Sequence, residues 1–212
     1  YYNLLEILTH IRHSEKVFNM KRLLLIIILT FSFQSWVKAN DIRDFEIEGM
    51  SIGDSALDYF DVSIIKKYTY DNFYNYKKDS KRFLAVQFND IVLKQYDYLT
   101  LHIKNKDKKY IIYEISGAMS YENEIEKCYT EKNIIIDDLK SLFSDYEEYD
   151  SERQYRKNDK ESTYDRIDLE LKSGDNITVI CNDWSKESGF LDHLSIGIES
   201  KEFSDWLNNE NN

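Results

Sequence analysis

Ser55 stands in the stretch 52-IGDSALD-58, a hydroxyl between an acid and a small residue at the start of an apolar-periodic segment. A serine becomes a nucleophile only when a base lies within hydrogen-bond reach and a third group orients that base. His102 and His193 are the only histidines after residue 39. His102 falls on the polar side of an alternating segment and His193 at a strand start, so both read as surface residues. The loop 183-DWSKESGFLDHL-194 places Asp183, Ser185 and Glu187 at alternate positions, as a calcium loop does. Ser188 occupies the place of the turn glycine and Leu194 that of the bidentate glutamate, so the calcium pattern fails. The chain has two cysteines, Cys128 and Cys181, with no CxxC and no clustered histidines. The simplest chemistry for them is a disulfide in an oxidising compartment. Closing a loop of about 54 residues would stabilise the fold by roughly 4 kcal/mol. No catalytic, cofactor or metal set is assigned from residue types alone.

The stretch around Ser55 resembles the nucleophile block of the GDSL-type serine esterases, and 182-ND-183 and 192-DH-193 loosely resemble the later blocks. The resemblance implies a hydrolase with Ser55 as nucleophile, Asn182 in the oxyanion hole and Asp192 with His193 as the base pair. The chain departs from that family. Asp192 and His193 are adjacent where the family separates them, and little chain lies between Asn182 and Asp192. The segment before Ser55, FEIEGMSI, alternates and is short, where the family has a buried strand of a parallel sheet. A purely structural explanation is complete. Ile52, Ala56, Leu57, Phe60 and Ile64 recur at helical spacing, so the pattern predicts a helix over 52–67. Ser51 is its expected N-cap and Asp54 sits in its first turn, near the positive end.

The remaining elements follow from periodicity. The stretches 82–88, 98–104 and 110–121 alternate and predict an antiparallel meander, with Gly117 marking a bend or bulge. Residues 122–147 predict the strongest helix, with Ile125, Cys128, Ile135, Leu139, Leu142, Phe143 and Tyr146 on one stripe. The charged stretch 147–163 lacks a core pattern and reads as a mobile loop. Further strands are expected at 164–171, 177–183 and 193–200, the first two joined by the turn 173-SGDN-176. A short helix at 201–207 closes the chain. The expected fold class is α+β, antiparallel sheet with packed helices, in the order helix, three strands, long helix, three strands, short helix. It forms one domain over 40–212, or two similar halves at 45–121 and 122–207. Trp184 and Trp206 read as core anchors. The basic, aromatic segment 66–82 reads as an irregular loop that could stack on a glycan or peptide.

The chain ends add a location. Met20, Lys21-Arg22, the apolar run LLLIIILTFSF and Val37-Lys38-Ala39 form the three parts of a secretory signal peptide over 20–39. The apolar run is about eleven residues, short of the roughly twenty that span a bilayer. Residues 1–19 are read as translated upstream sequence. Residues 40–212 carry 23 Lys and Arg against 37 Asp and Glu, a net charge of −14. That charge repels phosphate backbones and disfavours nucleic acid as a partner. Finally, 45-FEIEGMSIGDSALDYF-60, Cys128, 171-LKSGD-175, Cys181 with Asp183-Trp184-Ser185, and 201-KEFSDWL-207 resemble a group of small exported proteins from AT-rich marine bacteria. The resemblance implies export and a shared fold and carries no activity. More distantly, the Gly-Met-Ser helix start before an antiparallel sheet is similar to small envelope-assembly modules of the outer-membrane lipoprotein type, although no cysteine lies near the cleavage site. The expected protein is a periplasmic monomer, free of the membrane once cleaved, that binds a peptide, glycan or envelope protein and uses no cofactor.

Overall fold

The computed structural model describes residues 41–70, 82–122, 124–156 and 159–211. The segments 1–19 and 20–39 lie outside the described residues, as do residues 71–81 of the aromatic, basic stretch. Eight strands form one antiparallel sheet: β1 (Thr69–Tyr70), β2 (Phe83–Phe88), β3 (Tyr98–Lys104), β4 (Ile112–Glu122), β5 (Tyr146–Arg156), β6 (Asp159–Leu171), β7 (Asn176–Asp183) and β8 (Asp192–Glu199). Their order across the sheet is β1-β2-β3-β4-β8-β7-β6-β5. Three α-helices accompany it: α1 (Val62–Lys67), α2 (Ile125–Leu142) and α3 (Lys201–Asn211). The balanced α+β order of three-stranded units is therefore corrected to a mostly β protein with a single eight-stranded antiparallel sheet.

The main source of the difference is the charged stretch 147–163. It is not a loop but most of β5 and the first part of β6, paired from Tyr146↔Leu171 to Arg156↔Asp159. β5 is the outermost strand, so it needs no apolar face, and its charged side chains keep an exposed edge from pairing further. The other difference lies at 52–67. The chain makes a 3-10 turn at Ala56–Asp58, and the α-helix begins only at Val62. Ser55, not Ser51, caps that turn, its Oγ accepting from the Leu57 amide at 3.2 Å.

Strand register divides the side chains between two faces. One face carries Val86, Leu101, Ile115, Ile196, Val179 and Leu169, all buried. Helix α2 packs on it through Cys128, Ile135, Ile136 and Leu139. Cys128 and Cys181 form the disulfide, with Cα atoms 6.0 Å apart, and it fastens α2 to β7. One turn along α2, Lys132 also points inward, only 3% exposed, and pairs with Asp165 of β6. Asp165 lies opposite Cys181, so the ion pair and the disulfide share one patch of sheet. Gly117 introduces no bulge: it pairs regularly with Leu99 and Ile196, and the irregularities fall at His102/Ile103 and Ser120/Glu122. Glycine is needed because the Tyr96 ring lies where a Cβ would stand, 2.5 Å away.

The second face is polar. α3 covers one end of it, where Phe83, Phe203 and Trp206 pack together. Ser200 starts this helix, its Oγ accepting from the Phe203 amide at 3.3 Å. The middle carries small side chains: Ser116, Ala118, Ser195 and Gly197. Two outcomes test this packing. Reducing the disulfide, or Cys128→Ser with Cys181→Ser, should lower unfolding stability by about 4 kcal/mol in urea titrations. Asp165→Asn should lower it by about 3 kcal/mol, because it strands a buried ammonium, whereas Lys132→Met should cost much less.

Candidate functional site

The stretch around Ser55 is a backbone pairing element. The Gly53 amide donates to the Ile112 carbonyl at 2.8 Å, the Ile112 amide to Asp54 at 2.9 Å, and the Ala56 amide to Tyr110 at 2.9 Å. Gly53 has φ +91°, a conformation that a side chain resists, which explains the glycine without chemistry. Ser55 Oγ donates to the Lys109 carbonyl at 2.7 Å. Ser51 is buried, its Oγ donating to the Phe45 carbonyl at 2.8 Å and its amide to Asp54 Oδ2 at 3.0 Å. These contacts sit at the start of β4, where Ser55 bridges Ile111. His193 pairs with Ser120, nine residues further along the same strand. At the rise of an extended chain that is roughly 30 Å, so Ser55 and His193 are not brought together.

Of the other three candidates, Asn182 and His193 do converge. A row of facing residues crosses the polar face at its open end: Tyr164 of β6, Asn182 of β7, His193 of β8 and Ser120 of β4. Asn182 Nδ2 donates to His193 Nε2 at 3.0 Å. His193 Nδ1 lies 2.9 Å from the Leu191 carbonyl and 3.4 Å from Trp184 Nε1. Both ring nitrogens are thus used by a neutral imidazole, and burial lowers its pKa, with Arg156 adding to the effect. Asp192 does not orient the ring. Its Oδ1 accepts from the Trp184 amide at 2.7 Å, and burial raises its pKa. Among the described residues no hydroxyl is hydrogen-bonded to this ring and no carboxylate orients it, so the geometry of a nucleophile relay is not assembled at His193.

Over this row lies Arg156. It reaches from the end of β5, Nη2 donating to Asn182 Oδ1. Its guanidinium carbon stands 4.0 Å from the centre of the Trp184 ring and 5.4 Å from that of Tyr164. Burial pulls its pKa down, yet an arginine keeps its charge. It forms no ion pair among the described residues. Phe190, in the β7–β8 loop, packs on Trp184 with ring centres 4.8 Å apart and is 65% exposed, as is Leu191 beside it at 51%. Trp184 is therefore a stacking partner at a surface rather than a core anchor, whereas Trp206 is buried.

The loop that carries these rings is tied down by Asp159. Its Oδ2 accepts from Ser162 Oγ and, at 2.8 Å, from Ser185 Oγ, and Ser162 Oγ accepts from the Ser185 amide at 2.8 Å. Hydroxyl donors from Ser162 and then Ser185 hold the Asp159 carboxyl down to about 2. The residues of the calcium-like pattern go to separate partners: Asp183 faces Tyr129 and Thr163, and Ser185 faces Asp159. Among the described residues no cluster of three or more His, Cys, Asp or Glu side chains could hold a metal.

A second polar row crosses the opposite end of the same face, under α3: His102, Glu114, Glu199 and Asn176. The surface reading of His102 is corrected: it is 2% exposed, bonded through Nδ1 to Glu114 and packed against the Phe203 ring at 4.6 Å. Glu199 accepts from Ser204 Oγ at 2.7 Å, and burial raises its pKa. His102 and Glu114 are buried beneath the helix, whereas Glu199 and Asn176 stay half-buried.

Sequence reasoning found Asn182, Asp192 and His193 but missed Arg156, Tyr164 and Phe190. A signal was present for the first two. Tyr146, Tyr149 and Tyr155, then Thr163 and Tyr164, are strand-favouring residues around the turn-forming pair Asn158-Asp159. The chain matches no protein-family model, no curated protein and no solved structure.

The depressed Asp159 carboxyl has a directional consequence. Its folded pKa lies below the unfolded value near 3.9, so its contribution holds above pH about 4 and is lost as pH falls towards about 2. Carboxyl-carbon NMR should find the Asp159 midpoint near 2, and Asp159→Asn should loosen the β7–β8 loop at neutral pH. A midpoint at the ordinary aspartate value would sink the anchor role.

Proposed function

We propose that the protein is an exported, non-catalytic binding module of the periplasm, with its ligand site at the Arg156–Trp184 end of the polar sheet face. One observation carries the reading: a stacked guanidinium without an ion pair among the described residues, beside exposed Phe190 and Leu191. Ligand sites combine a few placed polar groups with apolar and aromatic surface, and this end of the sheet has both. The disulfide supports export, because such bonds persist in oxidising compartments. Among the described residues no helix is long and apolar enough to cross a membrane. The resemblance to small exported proteins points the same way. Partners remain those expected from the sequence, a peptide, a glycan or an envelope protein, met by a monomer.

The reading is tested by native, non-reducing mass spectrometry of protein recovered from the envelope of expressing cells. The expected mass begins at Asn40, is lighter by the two cysteine hydrogens, and in part carries a bound molecule. A chain that keeps Met20–Ala39 with free thiols would overturn export. Labelling by a fluorophosphonate probe that disappears in Ser55→Ala would overturn the non-catalytic assignment.

A further inference from the structure

We infer that the Arg156–Trp184 cluster recognises a carboxylate carried on an apolar body, of the kind presented by the free C-terminus of an apolar amino acid or short peptide. The inference rests on the binding reading above and narrows it to a chemical class.

Three features on the page support it. The first is the state of the guanidinium. Of its five N–H donors, one goes to the neutral Asn182 Oδ1, and Nε is buried without a partner. Nη1 donates to no described side chain. A planar fork with spare donors matches the two oxygens of a carboxylate. Stacking on Trp184 fixes the plane of that fork before any ligand arrives, which lowers the ordering cost of binding.

The second feature is the placement of the neighbouring acids. Arg43, Arg82 and Arg166 each pair with a carboxylate, whereas Arg156, like Arg153, has no carboxylate partner among the described residues. Asp159 is held by Ser162 and Ser185, Asp192 by the Trp184 amide, and Asp183 faces Tyr129 and Thr163. Each accepts from another donor, and Asp159, opposite Arg156 across the hairpin, acts on it through space without an ion pair. His193 is neutral, so it adds no positive charge. A guanidinium without an ion pair among the described residues, beside three acids, favours a singly charged ligand, since a phosphate would add a second charge facing the same aspartates.

The third feature is the apolar ledge. Phe190 and Leu191 stand exposed on the loop that also carries Trp184. Their ring and branched chain offer contact area to whatever body bears the carboxylate, and they make a bare inorganic anion a poor fit.

The experiment is a titration of the isotope-labelled, disulfide-bonded protein with N-acetyl-L-phenylalanine, with its amide, with acetate and with inorganic phosphate. The Trp184 indole N–H and Arg156 Nε–H signals are followed by NMR. N-acetyl-L-phenylalanine should shift both signals saturably in the millimolar range. The amide, acetate and phosphate should each bind at least about tenfold more weakly. Arg156→Gln should remove that preference for acid over amide, and Arg156→Lys should restore it only in part. The exposed substitution Phe190→Ala, which leaves the packed sheet intact, should weaken the acid but not acetate. Equal binding of acid and amide, or an unchanged preference in Arg156→Gln, would overturn the carboxylate assignment and leave the cluster as a binding site for something else. The absence of any saturable shift with the acid would also overturn it. If a molecule co-purified from the envelope then moved signals elsewhere and not these, the placement of the binding site would fall as well.

Discussion

The antiparallel pairing of β4 with β8 is the contact on which the rest of the molecule depends. Strands β1 to β4 run as one meander and β5 to β8 as another, and only this seam makes them a single sheet. Without it each meander would keep an unpaired interior strand with its backbone groups facing water. The seam is chemically uneven. Ile115 with Ile198 and Met119 with Leu194 meet on the apolar face, while small residues meet on the polar one. Its two ends place like charges opposite each other, Glu114 with Glu199 and Glu122 with Asp192. Such pairs are unfavourable in themselves. At the first of them burial raises the Glu199 pKa, and Glu114 is bonded to His102.

The two faces have different fates because they are closed differently. α2 lies along the apolar face and is held there by burial, by the disulfide and by the Lys132–Asp165 pair. α3 is only 11 residues long and covers one end of the polar face. In the row under it, His102 and Glu114 become interior. The equivalent row at the far end, Tyr164 to Ser120, is left beneath Arg156 and the β7–β8 loop. Polar groups placed in the same way on one sheet thus pack beneath a helix at one end and form the candidate site at the other.

Ser55 shows how residue types alone mislead. Gly-Asp-Ser is the beginning of a catalytic motif in one setting. Here glycine supplies a positive φ, aspartate accepts a backbone amide, and serine caps a 3-10 turn. Each residue has a local duty that uses up its hydrogen-bonding capacity. Chemistry would require His193, and the length of β4 lies between them.

The sequence by itself determined the elements whose apolar residues repeat with one burial period. Strands β2, β3, β4, β7 and β8, the later part of β6, and the helices α2 and α3 were legible for that reason, as was the cysteine pair. What it did not determine was any element that lacks a buried stripe. β5 is an edge strand with exposed charges, and nothing in its pattern separates it from a loop until β6 is beside it. Of the helix expected at 52–67 only Val62–Lys67 forms, because apolar residues at helical spacing also fit a turn whose backbone is claimed by β4. Lys132 was missed because a lysine enters the core only where a partner such as Asp165 comes from elsewhere in the chain. The candidate site is of the same kind. Asn182 and His193 become neighbours through the register of β7 with β8, and Arg156 reaches them only because a hairpin folds back at Asp159. Local propensity acts over a few residues, whereas register and strand order are decided by contacts between segments far apart in the chain, so only the tertiary structure could bring this cluster together.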